Sequence, residues 1–207
     1  MTLILKADTA MTSPGAAPIV PGFDIVTSDS FAAGSSFASR TSDAALGGTG
    51  MAYVSLSTGL TISSGVASVI GGATFFHGFN WTESADQQLT VKVTSLPVGN
   101  TLVLNVRKAS AASSSTNAYR LVVNTSGTIS LQKRIGSTDT TLTSATPFAV
   151  GDTIGIRVKG STIQSLKNGV VVATATDTEI TSGGYQGLSG APSLTAGAVD
   201  DLILRAA

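Results

Sequence analysis

Apolar and polar residues alternate with a period of two along most of the chain from about Leu89 onward. Side chains two residues apart on a β-strand point to the same face, so this alternation predicts strands with one buried face. A helical period of 3.6 residues persists nowhere for three turns, and we therefore expect an all-β protein. The repeating apolar positions are Leu89, Val91, Val93, Leu102, Leu104, Val106, Tyr119, Leu121, Val123, Ile129, Leu131, Ile135, Ile154, Ile156 and Val158, with Lys133 on the same face as its neighbours Leu131 and Ile135.

Segments rich in glycine and small polar residues separate these runs and predict tight turns. Thr125-Ser126-Gly127 and Asn168-Gly169 supply residues that accept a positive φ, as hairpin turns require. Neighbouring strands are therefore expected to be antiparallel, with the segment after Gly169 returning along Ser161–Lys167. Ile163 and Leu166 cannot share one face of that strand without a bulge, so the strand is either buried on both sides or irregular.

The N-terminal residues differ from the rest of the chain. Residues 1–22 hold three of the six prolines, which predicts an extended arm, and residues 23–207 are expected to form one β-domain. The arm begins with the strand-capable residues Leu3, Ile4 and Leu5, which we expect to dock on a neighbouring subunit. Segment 109–117 is interpreted as a surface loop, and the glycine-rich stretches near residues 47–74 as turns.

Composition and charge narrow the classes of function. Only 12% of the 207 residues are charged, with twelve Lys and Arg against twelve Asp and Glu, so nucleic acid is not an expected partner. No apolar run approaches the roughly 18 residues of a membrane span, and the N-terminus lacks the apolar core of a signal peptide. With no cysteine, the chain has neither disulfides nor thiolate metal ligands, and its stability must come from burial and strand pairing.

Several segments together resemble the concanavalin A-like jelly roll, with laminin-G-like and sugar-binding sandwiches the most similar. They are Asp29–Phe31, NAYRLVV, TISLQKRIG, GDTIGIRVKGSTI, DTEITSGGYQGL and VDDLIL, which together span residues 29–205. The resemblance implies an antiparallel two-sheet β-sandwich in which the first and last strands lie side by side.

A second resemblance comes from FASRTSDAALGG, together with the opening MTLILKADTAM. Both resemble minor tail proteins of phages of actinobacteria. This implies a non-enzymatic structural virion protein, assembled in the host cytoplasm, whose partners are other virion proteins, copies of itself and a host-surface glycan. The alternatives are a capsid decoration protein, a carbohydrate-binding module and a degenerate glycosidase.

Catalytic patterns are weak in this sequence. Jelly-roll glycosidases carry two carboxylates on alternating positions of one strand, and only Asp177 and Glu179 alternate in that way, in a segment where the family has a structural turn. His77 is the single histidine, next to two phenylalanines, and no G-x-S-x-G elbow occurs. We therefore predict no catalytic residues.

Two kinds of binding site remain as candidates. The jelly-roll resemblance implies a possible structural calcium ion held by Asp29, Asp200 and Asp201, whereas the alternative is that these carboxylates only cap strand ends. Trp81 and Tyr185 are the candidates for stacking on a sugar ring, although an aromatic cluster such as that around Trp81 also suits the core. No other cofactor is expected.

Overall fold

The computed structural model describes residues 22–31, 42, 44–45, 53–56, 60–70, 74–112, 116–191 and 193–207, and this part of the chain contains seventeen strands and no helix. No helix in these ranges could therefore cross a bilayer. The strands are β1 (Asp24–Asp29), β2 (Ala44–Ala45), β3 (Val54–Leu56), β4 (Leu60–Ser63), β5 (Val66–Val69), β6 (Phe75–Asn80), β7 (Gln87–Val98), β8 (Leu102–Lys108), β9 (Ala118–Val123), β10 (Thr128–Ile135), β11 (Thr138–Thr141), β12 (Thr146–Pro147), β13 (Thr153–Lys159), β14 (Thr162–Lys167), β15 (Val170–Thr176), β16 (Tyr185–Gly190) and β17 (Ala196–Ala206).

The strands form two antiparallel sheets. The first sheet has the order β15-β14-β13-β7-β17-β1-β2, with β5 beside β17 and β4 beside β5. The second sheet has the order β11-β10-β9-β8-β16-β6-β3, with β12 beside β10. One hydrophobic core contains side chains from both sheets. This arrangement confirms the predicted antiparallel β-sandwich.

The core includes the positions that the period of two predicts. Every repeating apolar residue from Leu89 to Val158 is buried, apart from the partly buried Ile135, which packs against the core. Alternation has this result because one face of each strand meets the opposite sheet while the other face points away from it. The first and last strands are neighbours as expected, with Asp29 opposite Leu202.

The connection between β14 and β15 is a tight hairpin, as predicted. Asn168 has a φ of 49° and Gly169 a φ of 79°, which is the pair of left-handed residues that a type I′ turn requires. The Asn168 side chain donates a hydrogen bond to Asp152 Oδ1 (2.7 Å) and accepts one from the backbone N–H of Thr153 (2.9 Å). The register between the two strands shifts at Ser165/Leu166, so the strand is irregular, which is one of the two outcomes that the spacing of Ile163 and Leu166 allowed.

Replacing Gly169 by valine is expected to lower the free energy of unfolding by about 1 to 3 kcal/mol, because a β-branched residue is strained at positive φ. Thermal melting and urea unfolding measure the loss. Val170→Thr is the matched control, because Val170 is exposed on the next residue of the same hairpin. Equal stabilities of Gly169→Val and the control would show that the turn tolerates a side chain.

The N-terminal half contains strands that the sequence did not predict. Strands β3, β4, β5 and β6 lie between residues 54 and 80, a part of the chain for which no strand was predicted. The glycine-rich stretches GGTG and GGAT, which we interpreted as turns, lie outside the described residues apart from Thr74. The arm, with Leu3, Ile4 and Leu5, lies outside the described residues, so its docking role stays a prediction.

Candidate functional site

The face of the second sheet that points away from the core carries both polar and apolar side chains, and several of them are buried. Phe75 and Phe79 of β6 belong to the core, so Phe76 between them points to the opposite side, and Val103 and Val122 are likewise buried but not part of the core cluster. Strand pairing aligns other side chains with these positions. We call this surface the outer face; it carries Phe76, Asn80, Val103, Asn105, Lys108, Ala118, Arg120, Val122, Ser130, Gln132, Arg134, Asp139, Thr141, Tyr185 and Ser189.

Three cations and one carboxylate lie together on the outer face. Arg134 donates two hydrogen bonds to Asp139, from Nε to Oδ1 (2.7 Å) and from Nη2 to Oδ2 (2.6 Å). Arg120 donates to the same carboxylate through Nη1. Lys108 is the third cation, and we call Lys108, Arg120, Arg134 and Asp139 the cationic cluster. Its formal charge is positive, because one carboxylate faces three cations.

Lys108 joins this cluster to the loop that follows β8. Its ammonium group donates to the carbonyl oxygens of Ser110 (2.7 Å) and Ala112 and to the hydroxyl of Thr116, and it lies 5.4 Å from the centroid of the Phe76 ring. Burial, together with the charges of the cluster's two arginines, lowers the pKa of Lys108 to about 8. Lys108 thereby holds Ser110, Ala112 and Thr116 close to the outer face.

Tyr185 lies at one end of the outer face. Its partner residues on the flanking strands are Asn80 and Lys108, and its ring meets that of Phe76 edge to face with 6.4 Å between centroids. Nearby, the Asn105 side chain donates to the Ser189 hydroxyl (2.9 Å). Tyr185 is half-buried.

Trp81, the other predicted stacking residue, is in a different environment. It follows β6 and packs, partly buried, against the core. Its backbone N–H donates to the Gly184 carbonyl (2.6 Å), and its own carbonyl accepts from Gln186 Nε2 (3.1 Å). Trp81 and Tyr185 therefore do not form one platform, and sugar binding by either residue stays a prediction.

The three predicted calcium ligands lie on neighbouring strands, with Asp29 on β1 and Asp200 and Asp201 on β17. Asp29 is buried and accepts a hydrogen bond from the Phe31 backbone N–H (2.7 Å), and Asp200 accepts one from Asp201 N–H (2.7 Å). Burial, with the nearby charges of Asp201 and Asp29, raises the pKa of Asp200. In the described ranges, no group of three or more histidine, aspartate or glutamate side chains could hold a metal ion. A structural calcium ion at these residues therefore stays a prediction.

Asp177 and Glu179 both form ion pairs with Lys133. In the sequence, Lys133 occupies the alternating position between the apolar residues Leu131 and Ile135. Lys133 Nζ lies 2.6 Å from Asp177 Oδ2 and 2.6 Å from Glu179 Oε2, and Tyr119 Oη donates to Asp177 Oδ1 (2.8 Å). Burial favours the protonated carboxyl, but these hydrogen bonds outweigh it and hold the pKa of Asp177 below its usual range. An ionised, paired carboxylate cannot act as a general acid at neutral pH. The ion pairs with Lys133 and the hydrogen bonds of Tyr119 instead fix the 177–180 segment on the second sheet.

His77 is buried between the sheets, and burial lowers its pKa to about 4. Its Nδ1 lies 2.8 Å from the Ser55 hydroxyl, which links β6 to the neighbouring strand β3. The imidazole is therefore neutral at pH 7 and packs as a core residue.

A cleft of about 290 Å³ opens at one end of the sandwich. Asp86, Arg107, Ser161, Thr178 and Ile180 are among the residues that line it. The Arg107 guanidinium donates to the carbonyl oxygens of Ala85 (2.6 Å) and Ile180 (2.9 Å) and to Asp86 Oδ1 (3.3 Å). These bonds give Arg107 a structural role at the base of the cleft.

Sequence reasoning did not identify the cationic cluster. The alternation could have revealed part of it, because Arg120, Gln132 and Arg134 occupy the positions between core residues. Lys108 has the same parity as the core residues of β8 and reaches the outer face only through the irregularity at Arg107, where the register with β16 shifts. Only the strand pairing shows that these positions are neighbours.

No family model and no curated protein matches this sequence. Solved structures with a similar fold include the carbohydrate-binding module CBM66 from Bacillus subtilis, with a TM-score of 0.61 and 13% identity over 75% of this chain and 96% of that one. The exoplasmic/lumenal domain of VIP36, bound to Ca²⁺ and Man3GlcNAc, has a TM-score of 0.57 and 13% identity over 73% and 82%. A structure described under endo-acting O-glycanases of the human gut microbiota has a TM-score of 0.59 and 8% identity over 89% and 100%. At these identities the likeness is one of fold.

Proposed function

We propose that this protein is a non-catalytic carbohydrate-binding domain whose ligand lies across the outer face of the second sheet. The observation that carries the proposal is the row of partly accessible side chains from Tyr185 through Ser189 and Arg120 to Gln132 and Arg134. Hydroxyl, amide and guanidinium groups form hydrogen bonds with sugar hydroxyls, and a tyrosine ring can stack on a pyranose face.

The structures of similar fold support this class of ligand. One of them is named as a carbohydrate-binding module, and another was obtained with an oligosaccharide bound. The state of the acidic residues supports binding without hydrolysis, because Asp177 and Glu179 are both ion-paired with Lys133.

The virion role is a finer proposal that rests on the sequence resemblance alone. A minor tail or capsid decoration protein would present this domain to a host-surface glycan, with the arm docked on other virion proteins or copies of the chain. The carbohydrate-binding role does not depend on that location.

Replacing Tyr185 by alanine is expected to weaken glycan binding by about tenfold or more, because truncating an aromatic anchor of a binding contact typically costs this much. A glycan array identifies the ligand, and titration calorimetry with the best binder measures the loss. Ile70→Ala is the matched control, because Ile70 is an exposed apolar residue next to β5 of the first sheet. An array without any bound glycan, or equal affinities of Tyr185→Ala and the control, would contradict the proposal.

A further inference from the structure

We propose that the glycan bound by the outer face is acidic, and that Arg120 and Arg134 bind its carboxylate; this inference rests on the proposed function. The first observation is the distribution of charge. The strands of the second sheet contain five cations, namely Arg107, Lys108, Arg120, Lys133 and Arg134, and only one carboxylate, that of Asp139. In a chain with no net charge, this is a local excess.

Two of these five cations are neutralised away from the outer face. Lys133 pairs with Asp177 and Glu179, and Arg107 pairs with Asp86 at the end of the sandwich. The uncompensated charge therefore belongs to Lys108, Arg120 and Arg134, where Asp139 is the single counter-ion that the strands of this sheet provide.

The two arginines still have donors for a second anion. Arg134 uses Nε and Nη2 on Asp139, and Arg120 uses only Nη1. No hydrogen bond within the described ranges involves Nη1 of Arg134 or Nε and Nη2 of Arg120. The Arg134 side chain is 25% exposed and that of Asp139 36%, so a ligand can approach them. A guanidinium fork matches the geometry of a carboxylate, which a lysine ammonium does not.

The position of the cluster suits an oligosaccharide. Tyr185 on β16 and Arg134 on β10 lie three strand spacings apart, with β8 and β9 between them, which corresponds to about 14 Å. A short oligosaccharide can therefore stack one sugar on Tyr185 and place the carboxylate of a uronic or sialic acid at the arginines. A nucleic acid would need a long basic track to follow its phosphates, and the cluster is confined to one end of the face.

The experiment compares acidic oligosaccharides with their own methyl esters, since esterification removes the carboxylate charge and keeps the sugar stereochemistry. The full chain is titrated with a panel of galacturonate, glucuronate, alginate and sialylated oligosaccharides, with the esters, with neutral glucans and with duplex DNA. We expect the chain to bind at least one acidic oligosaccharide of the panel. Its affinity should fall about ten- to hundredfold when that oligosaccharide is esterified, and it should be lower at about 0.5 M salt than at about 0.05 M.

Variants test the arginines directly. Arg120→Gln and Arg134→Gln are each expected to lower the affinity for the acidic ligand about ten- to hundredfold. Asp139→Asn removes the competing carboxylate and is expected to raise that affinity. Lys167→Gln is the matched control, because it removes one positive charge from β14 of the first sheet. Arg134→Lys keeps the charge and loses the fork, so a fall in affinity with an unchanged melting temperature separates recognition from folding.

The outcomes distinguish this inference from the proposed function. Binding to neutral glycans, with equal affinity for acidic oligosaccharides and their esters and no effect of Arg134→Gln, would overturn the inference that the ligand is acidic. The proposed carbohydrate-binding function would then still stand. Binding to no glycan would overturn both. Equal or tighter binding to duplex DNA would overturn the inference, because the cluster would then recognise phosphate.

Discussion

Replacing Gly187 by alanine is expected to destabilise the protein by about 3 kcal/mol or more, because backbone atoms of the adjacent strand occupy the space of the added methyl group. A Cβ at this position would lie 2.3 Å from the His77 carbonyl oxygen and 2.5 Å from Gly78 Cα. Neither atom belongs to a flexible side chain that could move aside. Relief requires β16 and β6 to separate, which breaks the ladder between them.

Gly136→Ala is the matched control for this prediction. A Cβ at Gly136 meets no atom within 4 Å, and its φ of 57° adds only a backbone cost of about 1 kcal/mol. Urea unfolding of both variants measures the difference. If the two glycine variants lose equal stability, the close approach of β16 to β6 is not what requires Gly187.

Much of the fold could be predicted because most long strands have one face in the core and a more polar face outside. In β13 and β10 the core residues alternate with polar or small ones, so the period of two is visible in the sequence. The turn at Asn168-Gly169 was predictable for a separate reason, since few residues other than glycine and asparagine accept positive φ.

Strand β6 was not predictable in this way because both of its faces are apolar. Phe75 and Phe79 point into the core while Phe76 lies on the outer face, so FFHGFN shows no alternation. Strands β3, β4 and β5 are only three or four residues long, too short for a period to be recognised.

The candidate site depends on register, which a single sequence does not contain. Lys108, Arg120 and Arg134 are separated by twelve and fourteen residues, yet pairing of β8 with β9 and of β9 with β10 brings them together. A shift of one residue in either pairing would move a whole strand's side chains to the other face. Tyr185 was identified from its residue type, but its position next to a cationic cluster follows only from the structure.

Replacing Arg107 by methionine is expected to lower the free energy of unfolding by about 3 kcal/mol, at the lower end of the cost of breaking a buried ion pair. The Arg107 side chain is only 3% exposed, and its removal leaves the carbonyl oxygens of Ala85 and Ile180 without their donor. The cost stays at the lower end because Asp86 is 30% exposed and keeps the hydrogen bond from the Gly160 backbone N–H (2.7 Å).

Arg107 has this effect because its guanidinium joins three segments that are distant in sequence. Ala85 and Asp86 precede β7, Ile180 precedes β16, and Arg107 itself lies near the end of β8 with a φ of 47°. Its backbone N–H donates to Gln87 Oε1 (2.8 Å), which holds the residue in that unusual conformation. Losing the guanidinium should therefore loosen one end of both sheets at once.

Arg157→Met is the matched control for Arg107→Met, because among the described residues the Arg157 guanidinium donates hydrogen bonds only to Gln164 Oε1 (2.9 and 2.7 Å). Arg157→Met is expected to lower the free energy of unfolding by about 1 kcal/mol or less. Urea unfolding gives both values, and hydrogen exchange of the Ile180 region shows whether the loosening is local. A loss of under about 1 kcal/mol for Arg107→Met would mean that water entering the cleft satisfies the carbonyl groups as well as the guanidinium does.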